Sequence, residues 1–204
     1  MALRIRRNSP GDLEKNPPVR YPSPMSTPEK IYLSYNDIHK TIKRLAGEIL
    51  DSGYSPDVIV AIGTGGFIPA RMLKTFINRP ILTVGLSYYD ANNQPRGSIE
   101  KIQWIDEVER KLMGKRILLV DEVDDSRFTL EYCLQELLAH KPEELAVAVL
   151  HNKLKEKRGV IPPQVKRYFR GSDLTDAWIC YPWDAGDIEE QDRMADAYRA
   201  SGSR

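Results

Sequence analysis

Histidine, cysteine and long apolar runs are all scarce in this chain of 204 residues. With only His39, His140 and His151 available, no Ser–His or Cys–His arrangement for acyl transfer or hydrolysis can be laid out. Cys133 and Cys180 are the only cysteines, too few for a Cys/His metal cluster or a disulfide framework, which points to a reducing compartment. No apolar run approaches the roughly 20 residues that span a bilayer. The arginines near the start are not followed by an apolar stretch, so the pattern of a secretory signal is missing. Charge of one sign is lacking too: 30 Lys and Arg against 29 Asp and Glu leave +1, which announces neither a nucleic-acid nor a membrane partner. These absences imply a soluble, cytoplasmic protein.

Proline is unevenly spread. The first 24 residues, "MALRIRRNSPGDLEKNPPVRYPSP", hold five prolines and no periodic apolar pattern. Such a segment cannot bury enough surface to offset its ordering entropy. Residues 1–25 therefore read as a disordered N-terminal extension or an added scar, with a second start-like "MSTPEK" at Met25. The tail takes five Lys/Arg and two Asp/Glu, leaving 25 against 27 (30 less 5, 29 less 2) in the remainder. The folded part, expected over 26–204, is mildly acidic.

Its apolar residues are ordered. Ser34, Asn36 or Asp37 can cap a helix in which Ile38, Ile42, Leu45 and Ile49 recur at helical spacing up to Gly53. "DVIVAIG" (57–63), "ILTVGL" (81–86), "KRILLV" (115–120) and "LAVAVL" (145–150) read as buried strands. Helices are expected at 67–77, 128–140 and 187–200, a short late strand at 177–181 and a long polar loop at 87–98; "IEKIQWIDEVE" fits either state. Strands alternating with helices imply right-handed crossovers, an α/β fold and a mostly parallel sheet flanked by helices. Ligands of such sheets sit beyond the strand carboxyl ends. Three distinctive loops follow strands there: "GTGG", "SYYDANNQPR" and "DEVDDSRFT".

The third loop crowds Asp121, Glu122, Asp124 and Asp125 into five residues. Like charges this close repel, so the arrangement needs a positive partner, and Mg²⁺ takes oxygen ligands beside phosphorylated compounds. Ser126–Thr129 then open a helix whose free amides and positive dipole end attract phosphate, with Arg127 adding charge. Acids for a metal and sugar hydroxyls beside a phosphate nest describe a phosphorylated sugar held at both ends.

"ILLVDEVDDSRFT" resembles the signature of the type I phosphoribosyltransferases. The resemblance implies that Asp121 and Glu122 bind the ribose hydroxyls of phosphoribosyl pyrophosphate (PRPP) and that Asp125, Ser126, Arg127, Phe128 and Thr129 bind its 5′-phosphate. Arg127 departs from the usual glycine, so the loop is expected to differ locally; some eukaryotic purine members look similar there. Asp124 falls on a variable position, and its replacement by Asn is expected to be mild. "IGTGGFIPARML" is similar to the pyrophosphate loop of purine members, with Thr64 and Gly65 at the contacts and a cis bond implied at Gly63–Thr64. The 87–98 segment resembles the lid, with Ser87 and Tyr88 or Tyr89 at its start and Arg96 as a further pyrophosphate contact, offset by one residue.

"DAWICYPWDAG" resembles the base-binding segment of the xanthine–guanine and hypoxanthine–guanine branch. That implies Trp178 stacking on a purine, Ile179 offering backbone groups, Asp184 joining Glu122 about Mg²⁺ (partly through water or PRPP), and Lys153 contacting the exocyclic oxygen. Stacking reads no base identity, whereas an ammonium donates and never accepts, favouring guanine, xanthine and hypoxanthine over adenine. The resemblance covers about residues 30–186 and implies a hood from residues near 26–36 and after about 155, a homodimer or homotetramer, and Asp125 as the general base. The rival is a non-catalytic PRPP-sensing or nucleic-acid-binding regulator on the same fold; the mildly acidic folded part speaks against nucleic acid.

Overall fold

The computed structural model describes residues 29–89 and 95–202, apart from the side chains of 88, 89 and 95–98. The expectations for residues 1–25 and for the side chains of Tyr88, Tyr89 and Arg96 lie outside the described residues.

The elements run β1 (Lys30–Tyr32), α1 (Tyr35–Asp51), β2 (Val58–Gly63), α2 (Phe67–Ile77), β3 (Ile81–Tyr89), β4 (Pro95–Gln103), α3 (Val108–Leu112) and β5 (Arg116–Asp124). Then come α4 (Phe128–Ala139), β6 (Glu144–Lys153), β7 (Arg167–Leu174), β8 (Trp178–Cys180), a 3-10 turn (Pro182–Asp184) and α5 (Ile188–Ala200). Six strands form one sheet in the order β4-β3-β2-β5-β6-β7. All neighbours are parallel except β3 and β4. The fold is the expected α/β sheet flanked by helices.

The central strands are apolar on both faces because helices cover both. Ile59, Ala61, Leu118, Val120 and Ala148 pack under α1 and α2, against Ile38, Ile42, Leu45 and Leu73. Their neighbours Val60, Ile62, Ile117, Leu119 and Val147 pack under α4, against Leu130, Leu134 and Leu137. Of the three candidate caps, Ser34 starts α1: its hydroxyl accepts from the Asp37 amide while Asp37 returns a bond to the Ser34 amide.

Two departures have physical causes. The stretch read as a long polar loop is mostly a ribbon: β3 continues to Tyr89 and β4 returns from Pro95, pairing Ser87 with Glu100 and Tyr89 with Pro95. It reads as a loop because an edge ribbon has no fully buried face; Ile102 is 65% exposed. Strand β7 was not expected either. "RYFRGSDL" edges the sheet and is only partly covered, so it lacks an apolar run.

A second, two-stranded parallel sheet pairs β1 with β8, matching Lys30 to Trp178 and Tyr32 to Cys180. From α5, Gln191 donates to the carbonyls of both Leu33 and Cys180 at 2.8 Å.

Candidate active site

At the carboxyl end of β2 the Gly63–Thr64 peptide is cis. Gly66 then sits so close to the sheet that a Cβ would lie 2.6 Å from the Ile62 carbonyl oxygen and 2.7 Å from that of Val120. Gly65 lies against the Glu122 carboxylate, which a Cβ there would displace. Thr64 is exposed beside them. The "GTGG" loop and the acid pair, more than fifty residues apart in sequence, are therefore in contact.

The difference between the two glycines is testable. A methyl on Gly66 meets two strand carbonyls that cannot yield, so Gly66→Ala should lose about 1–3 kcal/mol in denaturant unfolding. Gly65→Ala meets only a movable side chain and should fold near normally while weakening PRPP binding in calorimetry. Equal stability losses in the two variants would contradict this packing.

On β5, the Asp121 carboxylate accepts from the Glu122 amide at 2.9 Å. Burial first, and the Glu122 carboxylate second, push the Asp121 carboxyl well above the usual carboxylate range. Tyr181, just after β8, donates to the Glu122 carbonyl at 3.1 Å, and its ring stacks on Trp183 with centroids 4.5 Å apart. Since that hydroxyl gives its proton to Glu122, it accepts from His151 Nδ1 at 2.9 Å. Burial, with the Arg44 charge adding, pushes the His151 imidazole down to about 3, so it stays neutral. Asp184 ends the adjoining 3-10 turn, exposed, and its charge is felt at Tyr181 together with those of Glu122 and Asp121.

Beyond the acid pair the chain turns. Asp125 lies 3.3 Å from Lys153 Nζ and 2.9 Å from Lys155 Nζ. Asp176 shares both lysines, at 3.8 Å and 2.9 Å. Burial would raise the Asp125 carboxyl, but the Lys155 hydrogen bond and the Lys153 charge outweigh it and hold it below the usual range. Lys153, at the end of β6, is only 8% exposed. Trp178 opens β8 and is 64% exposed, whereas the Ile179 side chain is turned into the core, leaving only its backbone for a ligand.

Ser126 leads into α4, which Phe128 and Thr129 open, and the Phe128 amide reaches Ser126 Oγ at 3.5 Å. Arg127 adopts φ 67°, the left-handed region that glycine favours. The arginine thus occupies a backbone conformation of the kind glycine adopts freely. Its guanidinium binds Asp124. Asp124, read as a neutral position, is 1% exposed and accepts from Arg127 and from the Tyr168 hydroxyl on β7. Lys157 Nζ donates to the carbonyls of Asp124 and Asp125 at 2.6 and 3.0 Å. Ser87 lies in the β3–β4 ribbon, and Tyr88 and Arg96 contribute described backbone there.

Sequence reasoning missed Lys155, Lys157, Tyr168, Asp176, Tyr181 and His151. One signal was available: Lys153, Lys155 and Lys157 recur every second residue, the spacing at which an extended chain keeps side chains on one face.

A family model for the phosphoribosyl transferase domain matches residues 32–184. The chain is 42% identical over 194 residues to the hypoxanthine-guanine phosphoribosyltransferase of Schizosaccharomyces pombe, covering 81% of this chain and 94% of that one. It is 39% identical over 206 residues to xanthine phosphoribosyltransferase 1 of Saccharomyces cerevisiae, covering 85% and 98%. Among solved structures, a hypothetical protein from Neisseria gonorrhoeae with bound ppGpp is 50% identical, with a TM-score of 0.78 and coverage of 84% and 98%. A purine phosphoribosyltransferase from Pyrococcus horikoshii is 28% identical, with a TM-score of 0.57 and coverage of 78% and 97%. With a family model matching three quarters of its length and relatives at 39–42% identity, the chain belongs to the phosphoribosyl transferase domain family.

Proposed function

We propose that this chain transfers the phosphoribosyl group of PRPP to guanine, xanthine or hypoxanthine, forming the nucleoside 5′-monophosphate and pyrophosphate in purine salvage. The observation that carries the reading is the pairing of buried Lys153 with Asp125 at one end of the phosphate loop. It sets a donor-only cation for a 6-oxo group beside an acid for a ring N–H. The S. pombe and S. cerevisiae relatives, named for hypoxanthine, guanine and xanthine, support the same substrates.

In this reading Asp121 and Glu122 hold the ribose hydroxyls, Ser126–Thr129 the 5′-phosphate, and Thr64, Gly65 and Arg96 the leaving pyrophosphate. Trp178 stacks on the base, Ile179 meets it by backbone, and Ser87 and Tyr88 belong to the lid. Strands β1 and β8 with α5 form the hood.

Asp125 is ionised before substrate arrives because two ammonium groups stabilise its charge. When Lys153 turns to the purine oxygen, Asp125 loses one of those partners and becomes a stronger base where the purine N–H must be removed. Charge developing at C1′ as pyrophosphate departs is met by fixed groups rather than by a nucleophile, and lid closure excludes water.

The donor set fits Mg²⁺. Glu122 and Asp184 are oxygen ligands, and the raised Asp121 carboxyl marks a place where negative charge lacks compensation. Among the described residues no group of three or more His, Cys, Asp or Glu gathers to hold a metal, so PRPP would supply much of the coordination. Bound there, Mg²⁺ would neutralise charge on the pyrophosphate. Assembly as a homodimer or homotetramer and a cytoplasmic setting complete the reading; no helix among the described residues is long and apolar enough to cross a membrane.

The Neisseria relative is a structure with bound ppGpp, a guanine nucleotide carrying two diphosphates, and we propose the same ligand for this chain, competing for the PRPP site. One assay tests both readings. PRPP-dependent turnover is expected with guanine, xanthine and hypoxanthine, at least about tenfold (roughly 1.4 kcal/mol) above adenine, with ppGpp competing against PRPP. Lys153→Ala should raise the base KM more than the PRPP KM. Adenine turnover equal to that of guanine would remove Lys153 from base recognition, and no turnover with any base would favour the non-catalytic regulator.

A further inference from the structure

Arginine at φ 67° is held in a backbone region that side chains disfavour, so something must fix it there. The fixing group is a buried carboxylate. Asp124 Oδ2 accepts from Arg127 Nε at 3.0 Å, from Arg127 Nη2 at 2.7 Å and from the Tyr168 hydroxyl at 2.7 Å. The guanidinium also lies over the Tyr168 ring, 5.5 Å from its centroid. Lys157 holds the Asp124 and Asp125 carbonyls, while the amides of Arg158 and Gly159 donate to the Ser126 carbonyl at 3.0 and 3.1 Å. The loop from Asp124 to Arg127 is thereby tied to β7 on one side and to the segment after β6 on the other.

We propose that Arg127 is a positioning residue: acting through Asp124 and Tyr168, it holds the 5′-phosphate loop in its binding shape before the ligand arrives, and it is not itself a phosphate ligand. The proposal rests on the reading of this loop given under the proposed function and revises Arg127's part in it. A guanidinium that left for an incoming phosphate would abandon a carboxylate that is 1% exposed, with Tyr168 and only the more distant Lys157 ammonium, 3.6 Å away, remaining. Keeping the arginine in place costs the ligand nothing, and a loop already ordered spares the ligand the entropy of ordering it. Glycine satisfies the backbone alone; arginine supplies the tie as well.

The decisive measurement is calorimetric binding of ribose 5-phosphate, independent of turnover, to wild type, Arg127→Gly, Tyr168→Phe and the double variant. Arg127→Gly keeps the backbone feasible and removes the tie. Tyr168→Phe removes one hydroxyl from Asp124 and nothing from the loop itself. Each single change is expected to weaken binding, Arg127→Gly by about tenfold or more, and the double variant by less than the product of the two. The PRPP KM should rise by a larger factor than kcat falls. If Arg127 instead bound phosphate directly, loosening its hold on Asp124 by Tyr168→Phe would leave affinity unchanged or raise it; that result, or independent effects in the double variant, overturns the proposal. Should Tyr168→Phe not fold, amide exchange decides: faster exchange of residues 126–129 in free Arg127→Gly is expected, and unchanged protection overturns the idea. Wild-type protein that binds neither ribose 5-phosphate nor PRPP would defeat the reading of the loop itself, whereas binding without coupling defeats only the clamp.

Discussion

Asp125→Asn should lower kcat with guanine by about 10²–10⁴-fold, the usual span for a lost general acid–base group, while the PRPP KM moves little. The amide fills the same space and still accepts a hydrogen bond, so ligand geometry survives, but it cannot take the purine proton. Loss of charge also frees Lys153 and Lys155 from one shared partner, leaving Asp176 to hold both. The base KM should therefore shift only modestly. Asp125 is about half exposed, so the variant should stay folded. Steady-state kinetics at saturating PRPP decides the matter: a kcat within a few-fold of wild type would remove Asp125 from proton transfer. Asp124→Asn cannot be the mild neighbour that the variable position suggested. It weakens the buried partner of Arg127 and Tyr168, so its signature should be lost stability and a raised PRPP KM.

The second large effect belongs to the acid pair. Asp121→Asn with Glu122→Gln should weaken PRPP binding by about 10²–10⁴-fold, on the basis of two lost hydrogen bonds to charged acceptors at about 1.5–3 kcal/mol each. Stability should move the other way. The folded-state pKa of Asp121 is raised, so the folded protein holds that proton more tightly than the unfolded chain does. The resulting stabilisation is present below the unfolded carboxyl pKa, near 3.9, and is lost as pH rises through the elevated folded value. As pH rises above about 3.9 the unfolded chain releases that proton more readily than the folded protein does, so Asp121 increasingly opposes folding. The double amide should consequently melt higher than wild type at pH 7, with the difference shrinking toward pH 4. Isothermal titration with Mg·PRPP and melting curves at the two pH values check both halves. Unchanged PRPP affinity would reduce the acid loop to a solvated turn.

What could be read from the chain follows the physics of each element. Strands β2, β5 and β6 stand out because helices cover both their faces, which forces unbroken apolar runs such as "VIVAI" and "ILLV". Edge position hides β7 and the β3–β4 ribbon, since a strand exposed on one side carries Arg, Ser, Asp and Gln freely. The candidate site divides along the same line. Residues 121–129 are contiguous, so their chemistry is visible as a motif. Lys155 and Tyr168 come from separate segments and meet the loop only after folding, and Asp176 joins them through Lys153 and Lys155. The role of Asp124 is hidden for another reason. The resemblance marks its position as variable, and only the arginine three residues on, in a backbone made for glycine, requires a buried counter-charge.

The β1–β8 pair bears on how such a chain is assembled. Its two strands are three residues each and lie near opposite ends of the described chain, with the six-stranded sheet made entirely between them. Closing so long a loop is entropically unfavourable until the intervening chain is compact. β1 is made well before β8 and has no strand partner until β8 follows it. Only when β8 and then Gln191 of α5 arrive is the pair locked. The surface that bears Trp178 can therefore be completed only once β8 has been made and has joined β1.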